Sequence, residues 1–241
     1  MRLTVLGGSA AGANTGQGCS GYLVQTGSTR LMLDVGPGTF PELRRHADYR
    51  SLDGVVISHV HADHVLDLVA LRYALAYNPV RAPRPLPLWM PPHGRRFLDG
   101  VAGAFSGTEP PESFFSGAFA IEEYTPGEPL SIGDAVLTFA PTVHYIPCWA
   151  MRVENVQGGS PLAYTADTGP AADLDSIVKG AAVLVADAGN PTPGAEPFDQ
   201  RGHATASEMA ALAQKHLVDT LVLAHLWEEI GFSRYATQAT A

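Results

Sequence analysis

The sequence predicts an α/β protein whose strands lie in sheets covered on both faces. Short apolar runs alternate with glycine and proline, and a few helical stretches lie between them. With 46% hydrophobic and only 16% charged residues among 241, the chain can bury a sizeable core. Because mixed α/β layers of this length often share one core, we expect a single domain over residues 1–241.

Ten segments have the length and composition of strands. Most are apolar throughout, as strands are when both faces of their sheet are covered. In chain order they are Arg2–Leu6, Gly21–Gln25, Arg30–Val35, Gly54–Ser58, Leu86–Met90, Ala135–Ala140, Ala150–Glu154, Leu162–Thr165, Ala182–Ala186 and Thr220–Ala224.

Two helices are predicted between these strands. The first begins at Ala62 or His64 and ends at Tyr77, where an Asn-Pro pair stops it. The second is Ala206–His216, which follows a Thr-x-x-Glu capping box that starts at Thr205.

Charge and cysteine content exclude several classes of protein. Fifteen Lys and Arg against 24 Asp and Glu give a formal net charge of −9, which argues against a surface that wraps nucleic acid. The N-terminal apolar run is too short for a signal peptide, and no window has the length of a spanning helix, so no membrane contact is expected. Cys19 and Cys148 provide no disulfide framework, and Cys148 is expected to be a small buried residue. We therefore expect a cytoplasmic protein.

The chemistry is concentrated in six residues, His59–His64, directly after an apolar strand. In an extended segment His59 and His61 point to the same side and can bind one metal ion together. If a helix begins next, Asp63 and His64 turn toward a neighbouring position and can bind a second. This spacing predicts a metal site, and the alternative is a polar loop with fortuitous histidines.

The H-x-H-x-D-H segment resembles the motif of the metallo-β-lactamase superfamily, and the resemblance extends over nearly the whole chain. It implies an αββα four-layer sandwich, in which two mixed β-sheets are flanked by helices and the metals lie along one edge. Other residues just past apolar strands match the remaining ligands of the family. Residue by residue, the resemblance implies His59, His61 and His144 for one metal, Asp63, His64 and His225 for the other, and Asp167 shared by both.

The resemblance also implies supporting residues and a cofactor. Asp34 matches the aspartate that supports the metal loop, which is His59–His64 in this chain, and Asp187, after a later strand, is expected to orient a ligating histidine. Nitrogen and oxygen ligands without a thiolate suit two divalent ions, with Zn²⁺ favoured and Mn²⁺ or Fe left open. Such a pair of metals shares a water that becomes a hydroxide nucleophile, and Asp63 is a catalytic candidate as well as a ligand.

The bond that is hydrolysed depends on residues outside this motif. The turn at His144 lacks the Gly-His-Thr-x-Gly-like pattern of glyoxalase-type and lactonase-type members, which disfavours thioesters and lactones. The segment 201–206 resembles the ribonuclease Z-like phosphodiesterase branch, in which an extra histidine faces the scissile phosphate. This resemblance gives His203 the role of stabilising the oxyanion or protonating the leaving oxygen. The alternative for His203 is an exposed loop residue beside a helix.

The spacing of the motifs predicts a small substrate. Only 23 positions (167 − 144) separate His144 from Asp167, where relatives that process transfer RNA carry a long arm, and Asp67 stands near a position that is typically glycine in ribonuclease Z. We therefore predict a phosphodiesterase for a cyclic nucleotide, a cyclic phosphate or a short oligonucleotide. The alternatives are a ribonuclease Z-type tRNA 3′-endonuclease, a lactone or thioester hydrolase at the same metals, and a metal-dependent sensor.

The remaining expectations concern partners. A large nucleic acid is not expected, and a homodimer remains open. From Leu68 to Leu98 the chain has no acidic residue but carries Arg72, Arg81, Arg84, Arg95 and Arg96. This stretch either steers an anionic substrate toward the metals or is a solvated face or a subunit contact.

Overall fold

The computed structural model describes residues 1–107 and 110–240. The first half of the chain forms a six-stranded sheet in the order β1-β2-β3-β4-β5-β6. Its strands are β1 (Arg2–Gly7), β2 (Gly21–Thr26), β3 (Thr29–Leu33), β4 (Gly54–Val56), β5 (Leu86–Met90) and β6 (Phe119–Glu123). Neighbours are antiparallel from β1 to β3 and parallel from β3 to β6.

The second half forms another six-stranded sheet, in the order β12-β11-β10-β9-β8-β7. Its strands are β7 (Leu130–Ile132), β8 (Ala135–Pro141), β9 (Trp149–Asn155), β10 (Leu162–Tyr164), β11 (Val183–Asp187) and β12 (Thr220–Ala224). Neighbours are antiparallel from β7 to β10 and parallel from β10 to β12. Both sheets are therefore mixed, as the resemblance implied.

Helices cover the outer face of each sheet. They are α1 (Thr39–His46), α2 (Ala62–Val65), α3 (Asp67–Tyr77), α4 (Gly94–Phe105), α5 (Pro111–Ser116), α6 (Asp175–Val178), α7 (Ala206–Lys215) and α8 (Phe232–Thr240). Side chains of α1, α3, α4 and α5 pack on the first sheet, and those of α6 and α7 on the second. None of the helices within the described ranges is long and apolar enough to cross a membrane.

The two sheets pack face to face through a shared apolar core. Along β3, Leu31 and Leu33 face the second sheet, where they meet residues such as Val153 and Tyr164, while Met32 faces the helices. All three β3 residues are fully buried. Alternation along a strand therefore places apolar side chains in two different cores, which explains why the strands are apolar throughout. The four-layer αββα sandwich is confirmed.

The predicted strands are confirmed, with bounds that agree to within two residues. The strands that the sequence did not reveal are β6 and β7, which lie at the outer edges of their sheets. Most residues of β6 are at least partly exposed, and β7 has only three residues. Exposure of one strand and the shortness of the other leave only a weak apolar pattern in the sequence.

The expectation of one continuous helix from residue 62 to Tyr77 was wrong, because the helix is divided at Leu66. The backbone N–H of Asp67 donates to the carbonyl oxygen of Val35 (3.0 Å), and the N–H of Val35 donates to the carbonyl oxygen of His64 (2.7 Å). A tertiary hydrogen bond thus replaces the bond within the helix and ties the metal loop to the end of β3. By contrast, α7 begins with both hydrogen bonds of the predicted capping box at Thr205.

Candidate metal centre

The candidate ligands lie just past the carboxyl ends of strands that meet at one edge of the sandwich. Since β3 and β4 are parallel, the residues after them, Asp34 and His59–His64, emerge on the same side. In the second sheet β9 is antiparallel to both β8 and β10, so β8, β10, β11 and β12 share one direction. His144, Asp167 and His225 therefore emerge together. Topology alone brings residues separated by more than a hundred positions into one site.

The structure brings the seven candidate ligands together as two overlapping sets. Within each set the ligand atoms lie within 4.8 Å of one another. The sets consist of His59, His61, His144 and Asp167, and of Asp63, His64, Asp167 and His225. This grouping is the one that the resemblance implied.

Asp167 lies between the two sets. Its Oδ2 is 3.5 Å from Nε2 of His59 and 3.7 Å from Nε2 of His144. On the side of the second set, its Oδ1 is 3.2 Å from Nε2 of His64, and its Oδ2 is 3.3 Å from Nε2 of His225. One carboxylate therefore faces histidines of both sets.

Partners outside the site determine which ring nitrogen faces inward. Nδ1 of His144 donates to the carbonyl oxygen of Gly202 (2.9 Å), and Nδ1 of His64 donates to Oδ2 of Asp34 (2.8 Å). Nδ1 of His59 bonds the hydroxyl of the preceding serine (3.0 Å), which itself donates to Asp34. In the neutral form of each ring, Nδ1 carries the proton and Nε2 has a lone pair for a metal ion. Metal-binding histidines are commonly held in this way.

One buried nitrogen tests whether this site fits a metal ion. Nε2 of His59 has no hydrogen-bond partner in the described part of the chain, and the residue is fully buried. Leaving such a group unsatisfied costs about 1–3 kcal/mol. Imidazole nitrogens and carboxylate oxygens at this spacing are the donor set of divalent transition metals. The residues present therefore fit the group that the family implies.

The buried carboxylates control the charge states of the site. Burial raises the pKa of Asp63, but hydrogen bonds with His225 and His64 outweigh it and hold that pKa well below its usual range. Burial lowers the pKa of His64, but the charges of Asp167 and Asp34 outweigh it and raise that pKa well above its ordinary value. Without metal, His64 therefore holds a proton that a metal ion must displace.

Asp34 connects the metal loop to both sheets. It has a positive φ of 56°, an uncommon conformation for a residue other than glycine. Its carboxylate accepts the backbone N–H and the hydroxyl of Ser58, both at 2.7 Å, and the hydroxyl of Tyr164 at 2.6 Å. Sequence reasoning missed Tyr164. The available signal was a single hydroxyl within the apolar strand β10, three residues before Asp167.

Asp187 contacts His203 more closely than it contacts a ligand. Its Oδ2 accepts the Nδ1–H of His203 (2.9 Å) and the backbone N–H of Thr168 (2.8 Å), while its Oδ1 accepts the N–H of Gly189 (2.8 Å). Its Oδ1 is 3.8 Å from Nδ1 of His225, too far for a hydrogen bond. The expectation was that Asp187 orients a ligating histidine, whereas the hydrogen bond that the structure shows goes to His203.

His203 lies against both ligand sets. Its ring stacks on that of His225 with centroids 4.7 Å apart and meets that of His144 edge-on at 4.9 Å. Burial lowers the pKa of His203, but the hydrogen bond with Asp187 and its charge outweigh it and raise the pKa to about 9. The metal-free protein therefore holds His203 protonated at neutral pH, with one N–H donated to Asp187.

Comparison with known proteins agrees with this geometry. A family model described as "Beta-lactamase superfamily domain" matches residues 29–226. The chain belongs to the β-lactamase superfamily. Its fold and its histidine and aspartate clusters together support a metallo-hydrolase of this superfamily.

Relatives of this superfamily member cover most of its length. An uncharacterized protein of Mycobacterium tuberculosis is 30% identical over 234 residues, covering 94% of this chain and 81% of that protein. The probable metallo-hydrolase YhfI of Bacillus subtilis is 27% identical over 228 residues, covering 94% and 87%. A ribonuclease Z of Mycobacterium bovis is 26% identical over 256 aligned residues, covering 96% and 88%.

Solved structures show the same fold. The crystal structure of YhfI has a TM-score of 0.84 at 22% identity and covers 99% of this chain and 91% of that one. The short form of human tRNase Z gives 0.75 at 20% identity, covering 93% and 92%. A diphosphatase from the PhnP family gives 0.70 at 19% identity, covering 92% and 85%.

Several arginines of the 72–96 stretch serve local structure in this superfamily member. Arg72 is buried and donates from Nε to the carbonyl oxygen of Phe114 at 2.7 Å. Arg81 and Arg95 donate to the carbonyl oxygens of Ala76 and Ile121. These contacts give three of the five arginines a role in local structure, which neither sequence-based interpretation of the stretch had assigned to them.

Cys148 lies behind the metal centre. It is buried, and its thiol donates to the carbonyl oxygen of Asp167 (3.3 Å). Burial raises the pKa of this thiol, which keeps it protonated. Cys148 therefore has the position of a packing residue that supports the backbone at Asp167.

Proposed function

We propose that this protein is a metal-dependent phosphodiesterase that acts on a small phosphodiester. The observation that carries the proposal is the position of His203, an imidazole that Asp187 holds against both ligand sets. Hydrolysis of a phosphodiester requires stabilisation of charge on the phosphoryl oxygens and protonation of the leaving oxygen. The relatives support this class, because two are named for ribonuclease activity and one for diphosphatase activity.

The two ligand sets suit two divalent ions, and Zn²⁺ is the first choice because the donors are imidazole nitrogens and carboxylate oxygens. Bound there, the ions would supply Lewis acidity toward the phosphoryl oxygens and a water of lowered pKa. The chain supplies the orientation of the ligands. Asp34 and Gly202 fix the ligand rings from outside, and Asp167 and Asp63 balance the charge.

His203 holds the proton for the leaving group. Its Nδ1–H is committed to Asp187, so in the protonated ring the second N–H remains for an oxygen of the substrate. The carboxylate also favours the charged form of the ring, which can stabilise a phosphoryl oxygen before the proton moves. His203 thus serves either as the general acid or as the electrostatic stabiliser, and the dependence of its contribution on the leaving group distinguishes the two roles.

A small substrate is supported by the connection between His144 and Asp167. This part of the chain contains β9 and β10 joined by a short loop, which run within the second sheet. A ribonuclease Z-type endonuclease is the second candidate, because ribonuclease Z is among the relatives. It requires a transfer RNA surface, and the net charge of −9 does not favour one.

A substrate panel on protein of measured metal content tests the proposal. We expect hydrolysis of bis(p-nitrophenyl) phosphate and of a 3′,5′-cyclic nucleotide, no cleavage of a transfer RNA precursor, and no hydrolysis of a lactone or a thioester. Turnover of a thioester without turnover of any phosphodiester would refute the proposal. Cleavage of the precursor at rates above those for the small diesters would favour the second candidate.

A further inference from the structure

An exposed aromatic ring borders the metal centre. The side chain of Tyr145 is 55% exposed, although its ring packs against two site residues. The ring centroid lies 5.2 Å from that of His144 and 5.8 Å from that of His203. Tyr145 therefore adjoins both a candidate metal ligand and the proposed proton donor, while much of its surface remains open to solvent.

Contacts on two sides fix the position of this ring. The Tyr145 hydroxyl donates to the carboxylate of Glu196, at 2.9 Å to Oε2. Gly202 lies under the ring, where a Cβ atom would be only 2.6 Å from a ring carbon. The same glycine accepts the Nδ1–H of His144 through its carbonyl oxygen. The ring and the ligand His144 therefore share one rigid backbone support.

A fixed and exposed aromatic ring beside a phosphate site is suited to a flat, apolar group of the substrate. Bases stack on aromatic side chains in this way, with little dependence on sequence. In a nucleotide one sugar separates the base from the phosphate. In this protein the ring of the candidate ligand His144 separates Tyr145 from the metal centre. Building on the proposed function, we infer that Tyr145 stacks the base of a nucleotide whose phosphate lies at the metal centre.

The charges around Tyr145 limit the length of that nucleotide. The carboxylate of Glu196 accepts the Tyr145 hydroxyl. The nearest cation along the chain, Arg201, is buried and paired with Glu208, so it does not balance that charge. A second phosphate beyond the base would approach the carboxylate of Glu196 and be repelled. The substrate class is therefore a nucleotide with a single phosphate, such as a nucleoside cyclic phosphate, rather than an oligonucleotide.

Binding of two probes to the metal-loaded protein tests this inference without turnover. The probes are adenosine 5′-monophosphate and ribose 5-phosphate, which share the sugar and the phosphate and differ by the base. By calorimetry we expect the nucleotide to bind about tenfold more tightly, the order expected for one stacked base. Tyr145→Ala should remove this difference, and Tyr145→Phe should keep most of it because the ring remains.

A matched control uses another exposed tyrosine. Tyr77 on α3 is 56% exposed and carries the same side chain on a different element. Tyr77→Ala should leave both affinities and the turnover of bis(p-nitrophenyl) phosphate unchanged. Loss of the base preference in this variant would mean that the effect does not arise at Tyr145.

Several outcomes would overturn the inference. Equal affinities of the two probes for the wild-type protein would exclude a base contact. An equal loss of both affinities in Tyr145→Ala would show that the ring only supports His144 and His203. Tighter binding of a trinucleotide than of the mononucleotide would contradict the limit to one phosphate. If no phosphodiester is hydrolysed and the base preference still depends on Tyr145, the proposed function fails and the base contact stands.

Discussion

At the residue scale, His203 distinguishes two ways of assisting the reaction. Its Nδ1 is held by Asp187, and its ring touches a ligand of each set. As a general acid it matters most when the leaving oxygen is a poor leaving group, because an alkoxide must be protonated as the bond breaks. As an electrostatic stabiliser of the phosphoryl oxygens, it matters equally for good and poor leaving groups.

The first prediction compares two leaving groups in His203→Ala. For a diester that releases a sugar alkoxide we expect kcat/KM to fall by about 10²–10⁴-fold, the usual contribution of a general acid. For a p-nitrophenyl diester the loss should be much smaller, because p-nitrophenolate leaves without a proton. The measurement is kcat/KM for both diesters at equal metal content.

A second variant, Asp187→Asn, tests the same role of His203. It keeps the shape of the residue that supports His203 and removes the negative charge. The pKa of His203 should then fall, and the alkoxide substrate should again lose more activity than the p-nitrophenyl substrate. Parallel losses for both leaving groups in His203→Ala would assign this residue to stabilisation of the oxyanion instead.

A second prediction follows from the proton on His64. The charges of Asp167 and Asp34 outweigh its burial and raise the pKa of His64 well above its ordinary value, so the metal-free protein carries that proton at pH 7. A metal binds only the neutral ring, and binding must therefore release the proton. Since protons compete with the metal below this raised pKa, the affinity for zinc should fall as the pH is lowered.

Calorimetric titration of zinc in two buffers of different ionisation enthalpy measures the released protons directly. Asp34→Asn removes one of the charges that hold the proton, so fewer protons should be released at the same pH. Zinc binding at pH 7 with no proton release would contradict the charge state inferred for His64.

At the element scale, strands were predictable because they depend on local patterns, and the spacing of His59–His64 indicated a metal site, whereas His144, Asp167 and His225 were singled out by the resemblance to the superfamily. The apolar runs identified β4, β8, β10 and β12, and each candidate ligand follows the end of one of these strands. The pairing of Tyr145 with Gly202 and that of Tyr164 with Asp34 could not be predicted in this way. Both are contacts between distant segments, and only the assembled sheets bring them together.

Long-range hydrogen bonding also explains the element that was mispredicted. The pattern from residue 62 to 77 suits one helix. The carbonyl oxygen of Val35 accepts the N–H of Asp67, however, and this hydrogen bond divides the helix. Gly36 is the next residue, and a Cβ there would lie 1.9 Å from the carbonyl oxygen of Asp63. The close approach of these two segments requires glycine at this position and is not visible in the periodicity of either segment.

The third prediction concerns Asp67, a residue of α3 whose side chain caps the N-terminus of α1. Helix α1 begins after Gly38, which has no side chain to accept its first N–H groups, and Oδ2 of Asp67 accepts the N–H of Phe40 at 2.8 Å. Replacing a capping side chain by alanine costs about 1 kcal/mol. We expect Asp67→Ala to lower the free energy of unfolding by about that amount, measured by urea denaturation.

The control for the cap is an exposed aspartate on another helix. Asp99→Ala, on α4, should change the free energy of unfolding by less than about 0.5 kcal/mol, as is usual for surface positions. Asp67→Asn separates hydrogen bonding from charge, because the amide oxygen still accepts the N–H of Phe40. Equal stability of Asp67→Ala and the wild type would show that water caps α1 as well as the carboxylate does.

At the scale of the whole molecule, the metal centre joins the two sheets. The segment His59–His64 follows β4 in the first sheet, whereas His144, Asp167 and His225 follow strands of the second. Each ligand set contains residues from both halves of the chain. Bound ions would therefore link sheets that otherwise adhere through their apolar core, and they would do so only in the folded protein.

The fourth prediction is that divalent metal stabilises the whole fold and that Asp167 carries the effect for both ions. A ligand that binds only the folded state at a hundred times its dissociation constant adds about 2.7 kcal/mol, and any binding to histidines of the unfolded chain reduces this gain. Because Asp167 belongs to both sets, Asp167→Asn should remove most of the gain, whereas His46→Ala, outside both sets, should keep it. The measurement is the free energy of unfolding in urea, determined for each variant with zinc and with a chelator. The difference between the two values is the gain from metal for that variant. A full gain in Asp167→Asn would mean that the ions do not share this carboxylate and that the two halves of the site act separately.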